Sequence, residues 1–91
     1  MTKADIVHRV SRETGLTLPQ SLKAVDSMLA TITSAMAEGQ RVHFRKFGSF
    51  SSRKKSERLG RNPKTGEDVT ITARTVPVFK ASKQLKKEVD V

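Results

Sequence analysis

Between Arg53 and Arg74 the chain sets seven cations, Arg53, Lys54, Lys55, Arg58, Arg61, Lys64 and Arg74, against three anions, Glu57, Glu67 and Asp68. At the centre of this stretch Asn62-Pro63-Lys64-Thr65-Gly66 is turn chemistry. Asn accepts a local backbone bond, Pro presets φ at the second turn position, and Gly tolerates positive φ on the way out. The stretch therefore predicts a hairpin with a proline at its tip. On the return side Val69, Ile71 and Ala73 alternate with Thr70, Thr72 and Arg74, the period of a strand. With only Leu59, Val69, Ile71 and Ala73 as apolar material, a two-stranded ribbon of this kind is marginal in water and needs a partner surface. A long cationic ribbon suits a polyanion, and duplex DNA is the first candidate.

Nothing else in the chain points to bond-making chemistry. His8 and His43 have no cysteine beside them, and Asp5 with His8 is a lone pair rather than a metal set. No two carboxylates are arranged for acid–base work, and the serines and threonines lack a nucleophile motif. The expectation is a protein that is not an enzyme, with no cofactor, no metal and no small-molecule substrate, and with both histidines at the surface.

The elements that must hold the ribbon come from 91 residues without a cysteine, one small domain near the lower limit of independent stability. No disulfide or metal staple is available, so association between chains is the remaining one. Residues 1–40 carry four basic and four acidic residues, whereas 41–91 carry fourteen basic against five acidic. All of the net +9 thus lies in the second part, as in a neutral part that folds and a basic part that binds an anion. The absence of cysteine, of a bilayer-length apolar run and of a signal-peptide core leads to the expectation of a soluble cytoplasmic protein that does not engage membranes.

Thr2 with Asp5 three residues on predicts a capped first helix carrying Ile6, Val7 and Val10 on one face and stopped at Gly15. Thr17-Leu18-Pro19-Gln20 predicts a second start, and Leu22, Val25, Leu29, Ile32 and Met36 follow at alternating spacings of three and four. Ala24, Met28 and Ala35 widen this seam beyond what one short helix covers, so part of it should face a second chain. After Gly39 the period becomes two, with Val42 and Phe44 on one face of a strand. Lys46-Phe47-Gly48 is expected to turn the chain into a second strand, Ser49 to Ser52, running into the basic ribbon without a break. Pro77 marks the returning strand, which ends at Val76-Pro77-Val78-Phe79, as an edge. Ser82 opens a last short helix. The order of elements is α+β with an antiparallel sheet, and the four phenylalanines are expected in the core.

Taken together, Phe47-Gly48-Ser49-Phe50, Gly60-Arg61-Asn62-Pro63-Lys64-Thr65-Gly66, Val76-Pro77-Val78-Phe79-Lys80 and Leu85-Lys86 resemble, in that order and spacing, the bacterial histone-like HU and integration host factor family. The resemblance covers essentially the whole chain. It implies an intertwined dimer, homodimeric or heterodimeric: a helical dimerisation base over residues 1–40, a three-stranded antiparallel sheet over 41–81 with an arm at about 53–74, and a C-terminal helix over 82–91. It implies an architectural, nucleoid-associated protein whose arms enter the DNA minor groove and bend the duplex, condensing or organising the chromosome. Pro63 matches the family's intercalating wedge. Arg53, Lys55, Arg58, Arg61, Asn62, Lys64, Arg74, Lys80, Lys83 and Lys86 are then the candidate DNA-binding residues, and Val25, Leu29, Ile32, Met36, Phe44, Phe47, Phe50 and Phe79 the candidate dimer core. Lys46 departs from the glycine frequent at its position, which could alter the turn there. Ser82 also stands where the family often has glycine, and supplies a stronger helix cap. The competing class is a basic RNA-binding or ribosome-associated protein; the lack of any aromatic residue on the ribbon weighs against single-strand stacking.

Overall fold

A computed structural model describes residues 1–90; Val91, the expected last residue of the C-terminal helix, and the side chain of Ile71, expected in the ribbon's alternation, lie outside the described residues. The chain divides into two compact units, residues 1–34 and 35–91.

In the first unit, α1 (Lys3–Thr14) begins at the predicted capping box. The Thr2 N–H donates to Asp5 Oδ2 at 2.7 Å and the Asp5 N–H to Thr2 Oγ1 at 3.5 Å. The Thr2 N–H, with the Thr2 hydroxyl behind it, holds the Asp5 carboxyl below its ordinary range. The cap is therefore complete above that range and is lost as pH falls through the lowered value. Helix α2 (Leu18–Ala37) starts with a second reciprocal box: Gln20 N–H donates to Thr17 Oγ1 at 3.2 Å, and Thr17 N–H to Gln20 Oε1 at 3.0 Å. Val7, Val25 and Ile32 are the buried hydrophobic residues of the described chain. Alternate seam positions behave differently, because Leu22 and Leu29 remain 42% and 45% exposed and Met28 51%. Lys3 Nζ meets Asp26 Oδ1 at 2.8 Å, bridging α1 and α2; both groups are about half exposed, so solvent screens the pair strongly.

The second unit holds a three-stranded antiparallel sheet in the order β1-β2-β5, a two-stranded ribbon β3-β4, and α3 (Lys83–Val89). Its strands are β1 (Val42–Phe44), β2 (Gly48–Lys55), β3 (Arg58–Arg61), β4 (Asp68–Ile71) and β5 (Arg74–Ala81). As Pro77 predicts, β5 is an edge. It is longer than expected, running past Phe79 to Ala81.

Two expectations need correction. Gly48 is not a turn residue but the first residue of β2, and the turn is Arg45-Lys46-Phe47, closed by the Phe47 N–H donating to Phe44 O at 3.0 Å. Glycine is required at 48 by close approach: a Cβ there would lie 2.6 Å from Lys80 O and 2.7 Å from Phe79 Cζ. The second correction concerns the ribbon, which is interrupted. Ser56-Glu57 and Thr72-Ala73 belong to no strand, yet Lys55↔Arg74 and Arg58↔Ile71 on either side stand in one register, three residues further along each strand. Glu57 and Ala73 disfavour a strand, and the positions opposite each other, Ser56 with Ala73 and Glu57 with Thr72, offer no aromatic or opposite-charge pair across the strands, so the ladder there has little side-chain support.

The phenylalanines form one cluster. Phe50 and Phe79 are cross-strand partners with ring centroids 4.7 Å apart, Phe44 meets Phe47 and Phe50 edge-on at 6.3 and 6.1 Å, and Phe47 lies 5.5 Å from Phe79. Phe47 and Phe79 nevertheless remain 45% and 42% exposed, so the cluster is only half covered within one chain.

Lys46 adopts φ 66°, a left-handed conformation that costs an L residue roughly 1–2 kcal/mol. The turn expected from a glycine is thus kept at a backbone cost. Lys46→Gly should raise the unfolding free energy by about 0.5–1 kcal/mol per chain once the glycine's greater unfolded-state freedom is allowed for. Urea denaturation at fixed protein concentration reads this; a lowered midpoint would mean that the lysine side chain contributes more than its backbone costs.

Candidate nucleic-acid interface

The register of the sheet decides which cations act together. Residues directly opposite on antiparallel strands project to the same side, and successive residues alternate. The pairs Ser49↔Lys80, Arg53↔Val76 and Lys55↔Arg74 therefore place Arg53, Lys55, Arg74 and Lys80 on one face. The pairs Phe50↔Phe79, Ser52↔Pro77 and Lys54↔Thr75 give the other face the aromatics, and Lys54 with them. A sheet with one cationic side and one aromatic side results.

Two residues absent from the sequence-based candidates join the cationic face. His43 is the partner of Ser49, and its Nδ1 lies 2.7 Å from Ser49 Oγ, which also accepts from Arg41 Nη2 at 3.1 Å. Ser49 is almost fully buried between these exposed groups. His43 is a surface residue as expected, but it is tied into this cluster. The available signal was the two-residue spacing of Arg41 and His43; without the strand pairing it could not be assigned to the side of Lys80.

Beyond the interruption, Arg61↔Asp68 and Leu59↔Thr70 share one side of the β3–β4 ribbon, whereas Arg58 lies with Gly60↔Val69 on the other. Arg58 and Arg61 therefore project to opposite sides of the ribbon. Arg61 Nε stands 4.0 Å from Asp68 Oδ1, with both groups about three-quarters exposed. Such a pair is weak and can yield to a phosphate.

The tip follows its turn chemistry. Asn62 N–H donates to Glu67 O at 2.8 Å, Gly66 N–H to Asn62 O at 2.7 Å, and Lys64 N–H to Asn62 Oδ1 at 2.9 Å. Gly66 takes φ 73°, which an L side chain adopts only at a cost. Pro63 and Lys64 are exposed at the end of the hairpin. With its Oδ1 engaged inside the turn, Asn62 has its Nδ2 donor left for other partners.

The candidate cations do not all sit on the ribbon. Lys83 and Lys86 are exposed on α3, which is capped by Ser82 Oγ accepting from Leu85 N–H at 3.1 Å and tied to the sheet by Ser82 N–H donating to Phe47 O at 2.9 Å. Among the candidate dimer-core residues, Val25 and Ile32 are already buried in the single chain, Met36, Phe44 and Phe50 are half-buried, and Leu29, Phe47 and Phe79 are exposed.

A family described as bacterial DNA-binding protein matches residues 1–90. Integration host factor subunit alpha of Maricaulis maris is 49% identical over 90 residues, covering 99% of this chain and 89% of the relative. The DNA-binding protein HU-1 of Halalkalibacterium halodurans is 43% identical, covering 99% and 100%. In three dimensions the chain is similar to HU in a cocrystal structure of Anabaena HU with DNA, at TM-score 0.93 and 38% identity, covering 99% of this chain and 98% of that one.

The parity of the sheet yields a direct test. Lys55→Gln and Arg74→Gln should each flatten the salt dependence of duplex binding, by up to ~0.9 in the log–log slope for each phosphate no longer neutralised, whereas Lys54→Gln, on the aromatic side, should change it less. Equal effects of the three in a titration series would show that both sides of the stem face phosphate.

Proposed function

The chain belongs to the bacterial DNA-binding protein family, and from that membership we propose that it acts as a dimer that grips duplex DNA along the minor groove with its two ribbons and bends it. The role is architectural, in organising the nucleoid of the cytoplasm, and it requires no catalytic step. One observation carries this reading: a single register runs from Gly48↔Ala81 to Arg61↔Asp68, bringing Pro63 to the end of a ribbon with arginines on both sides. The helical base (1–40), the sheet with its arm (41–81) and the last helix (82–91) then act as one DNA-binding domain.

Binding and bending arise from different parts of that ribbon. Arg53, Lys55, Arg74 and Lys80 on the stem, with Lys83 and Lys86 on α3, neutralise phosphates and release counterions, a contribution indifferent to sequence. Arg58, Arg61, Asn62 and Lys64 follow the tip into the groove. Pro63 is rigid, apolar and has no N–H to satisfy, so it can separate two base pairs at a cost of roughly a few kcal/mol per step, offset as the bent duplex reaches more cations.

The dimer follows from apolar surface left uncovered. Leu29, Phe47 and Phe79 are each over 40% exposed in one chain, and full burial of such a side chain is worth roughly 1.5–3 kcal/mol. In the first unit Leu29, with Val25 and Ile32, and in the second Phe47 and Phe79, with Met36, Phe44 and Phe50, are the residues we assign to contact with a second copy. The chain resembles integration host factor alpha and beta subunits and HU to similar degrees, at 49%, 44% and 43% identity. A homodimer is the simplest assembly consistent with all three.

Two outcomes test this reading. Pro63→Ala, which keeps the arm's charge, should bind straight duplex with a modest loss and bend it far less; Arg58→Ala with Arg61→Ala should instead lose affinity on every duplex. A fluorescence-transfer bending assay beside a fixed-salt titration separates the two, and bending by Pro63→Ala equal to the parent's would reduce Pro63 to a turn residue. For the dimer, the thermal midpoint should rise with protein concentration, and a constant midpoint with a monomeric sedimentation mass would reject it.

A further inference from the structure

The interruption in the ribbon exposes a residue that DNA binding does not use. Ser56 lies in the unpaired segment Ser56-Glu57, exposed, directly after Arg53-Lys54-Lys55. Arg53 stands three residues before it, and no other serine or threonine of the chain has an arginine in that place. Ser49 has a lysine there, Lys46, but is almost fully buried. We propose that Ser56 is a phosphorylation site for a serine/threonine kinase that selects basic residues ahead of its acceptor, and that a phosphate there withdraws the stem's cations from DNA.

Both parts of the proposal stand on the local structure. Kinases of this class bind their target as an extended, unpaired segment and read the preceding cations through acidic groups, a selection by charge pattern. Ser51 and Ser52 sit inside β2 paired to β5, whereas Ser56 is free of the ladder. In the reaction the γ-phosphorus of ATP bonds to Ser56 Oγ and its bond to the ADP oxygen breaks. The hydroxyl proton passes to the kinase's base. Ser56 lines a cleft of about 440 Å³ with Lys54, Lys55, Ala73, Arg74 and Thr75. A phosphoserine brings about −1.5 to −2 charge and three acceptor oxygens, within reach of ammonium and guanidinium donors there. Glu57 opposes it as the nearest like charge. Lys55 and Arg74 are the two cations placed on the DNA side of the stem, so a phosphate in this cleft competes with DNA for them.

The DNA consequence rests on the proposed function, so the test has separate arms. The purified protein is treated with the catalytic domain of a kinase of this class and magnesium ATP, the phosphate is mapped by mass spectrometry, and duplex affinity is measured before and after across a salt series. One phosphate per chain should appear at Ser56 and be absent from Ser56→Ala, which itself should bind DNA like the parent. Phosphorylation should weaken binding about tenfold or more at moderate salt and flatten the salt slope by about one to two. By reciprocity, saturating duplex should slow labelling. No incorporation, or a phosphate mapped elsewhere, overturns Ser56 as the acceptor; unchanged affinity and slope overturn the competition. Failure of the untreated protein to bind duplex would instead be the failure of the DNA-binding reading, with the mapping still deciding the acceptor.

Discussion

The antiparallel pairing of β2 with β5 is the constraint on which the rest of the basic unit depends. It stacks Phe50 on Phe79, places Arg53, Lys55, Arg74 and Lys80 on one side, and sets the register in which the arm continues. A slip of one residue would turn the cations to the aromatic side. Gly48 protects that register from within, since a Cβ there would collide with the Lys80 carbonyl and the Phe79 ring. The first strand pair therefore decides how charge is presented many residues away.

Apolar surface is the second constraint. Among the described residues, one chain buries Val7, Val25 and Ile32 and leaves large hydrophobic residues exposed, among them Leu22, Met28, Leu29, Phe47 and Phe79. Leu22 and Leu29 recur at seam spacing on α2, Phe47 and Phe79 belong to a single aromatic cluster, and Leu59 and Val69 lie on the ribbon. Chain entropy of roughly 1–2 kcal/mol per ordered residue has to be offset by burial, which a body this small does not complete alone. Within the second unit the half-covered aromatic cluster lies on the same β2–β5 pair whose other side carries the stem cations, so the proposed dimer contact and the proposed DNA contact depend on one strand pairing.

The ribbon is built on the opposite principle. Its paired stem keeps Arg53, Lys55 and Arg74 on one side, while the tip is held by local hydrogen bonds centred on Asn62 and Thr65. Between stem and tip the ladder lapses at Ser56-Glu57 and Thr72-Ala73 without losing register. Exposed Leu59 and Val69 and the weak Arg61–Asp68 pair give the distal part little internal stabilisation. A segment stabilised chiefly by its ligand is well suited to follow a bending duplex, and its unpaired backbone is accessible to modifying enzymes.

Much was legible in the residues because the signals are local. The capping boxes at Thr2 and Thr17, the Asn62–Gly66 turn, the edge proline and the confinement of net charge to residues 41–91 depend on side chains reaching backbone a few positions away, or on composition alone. The family motif made Pro63 the candidate wedge and the arm cations candidate DNA contacts. What could not be read was set by strand pairing: that Gly48 serves close packing rather than a turn, that Arg41 and His43 share a side with Lys80, and that the ribbon is interrupted. Sequence spacing determines the alternation along each strand, but which side is which depends on the register with the partner strand. That register is decided only when backbone hydrogen bonds and aromatic packing form together in the tertiary structure.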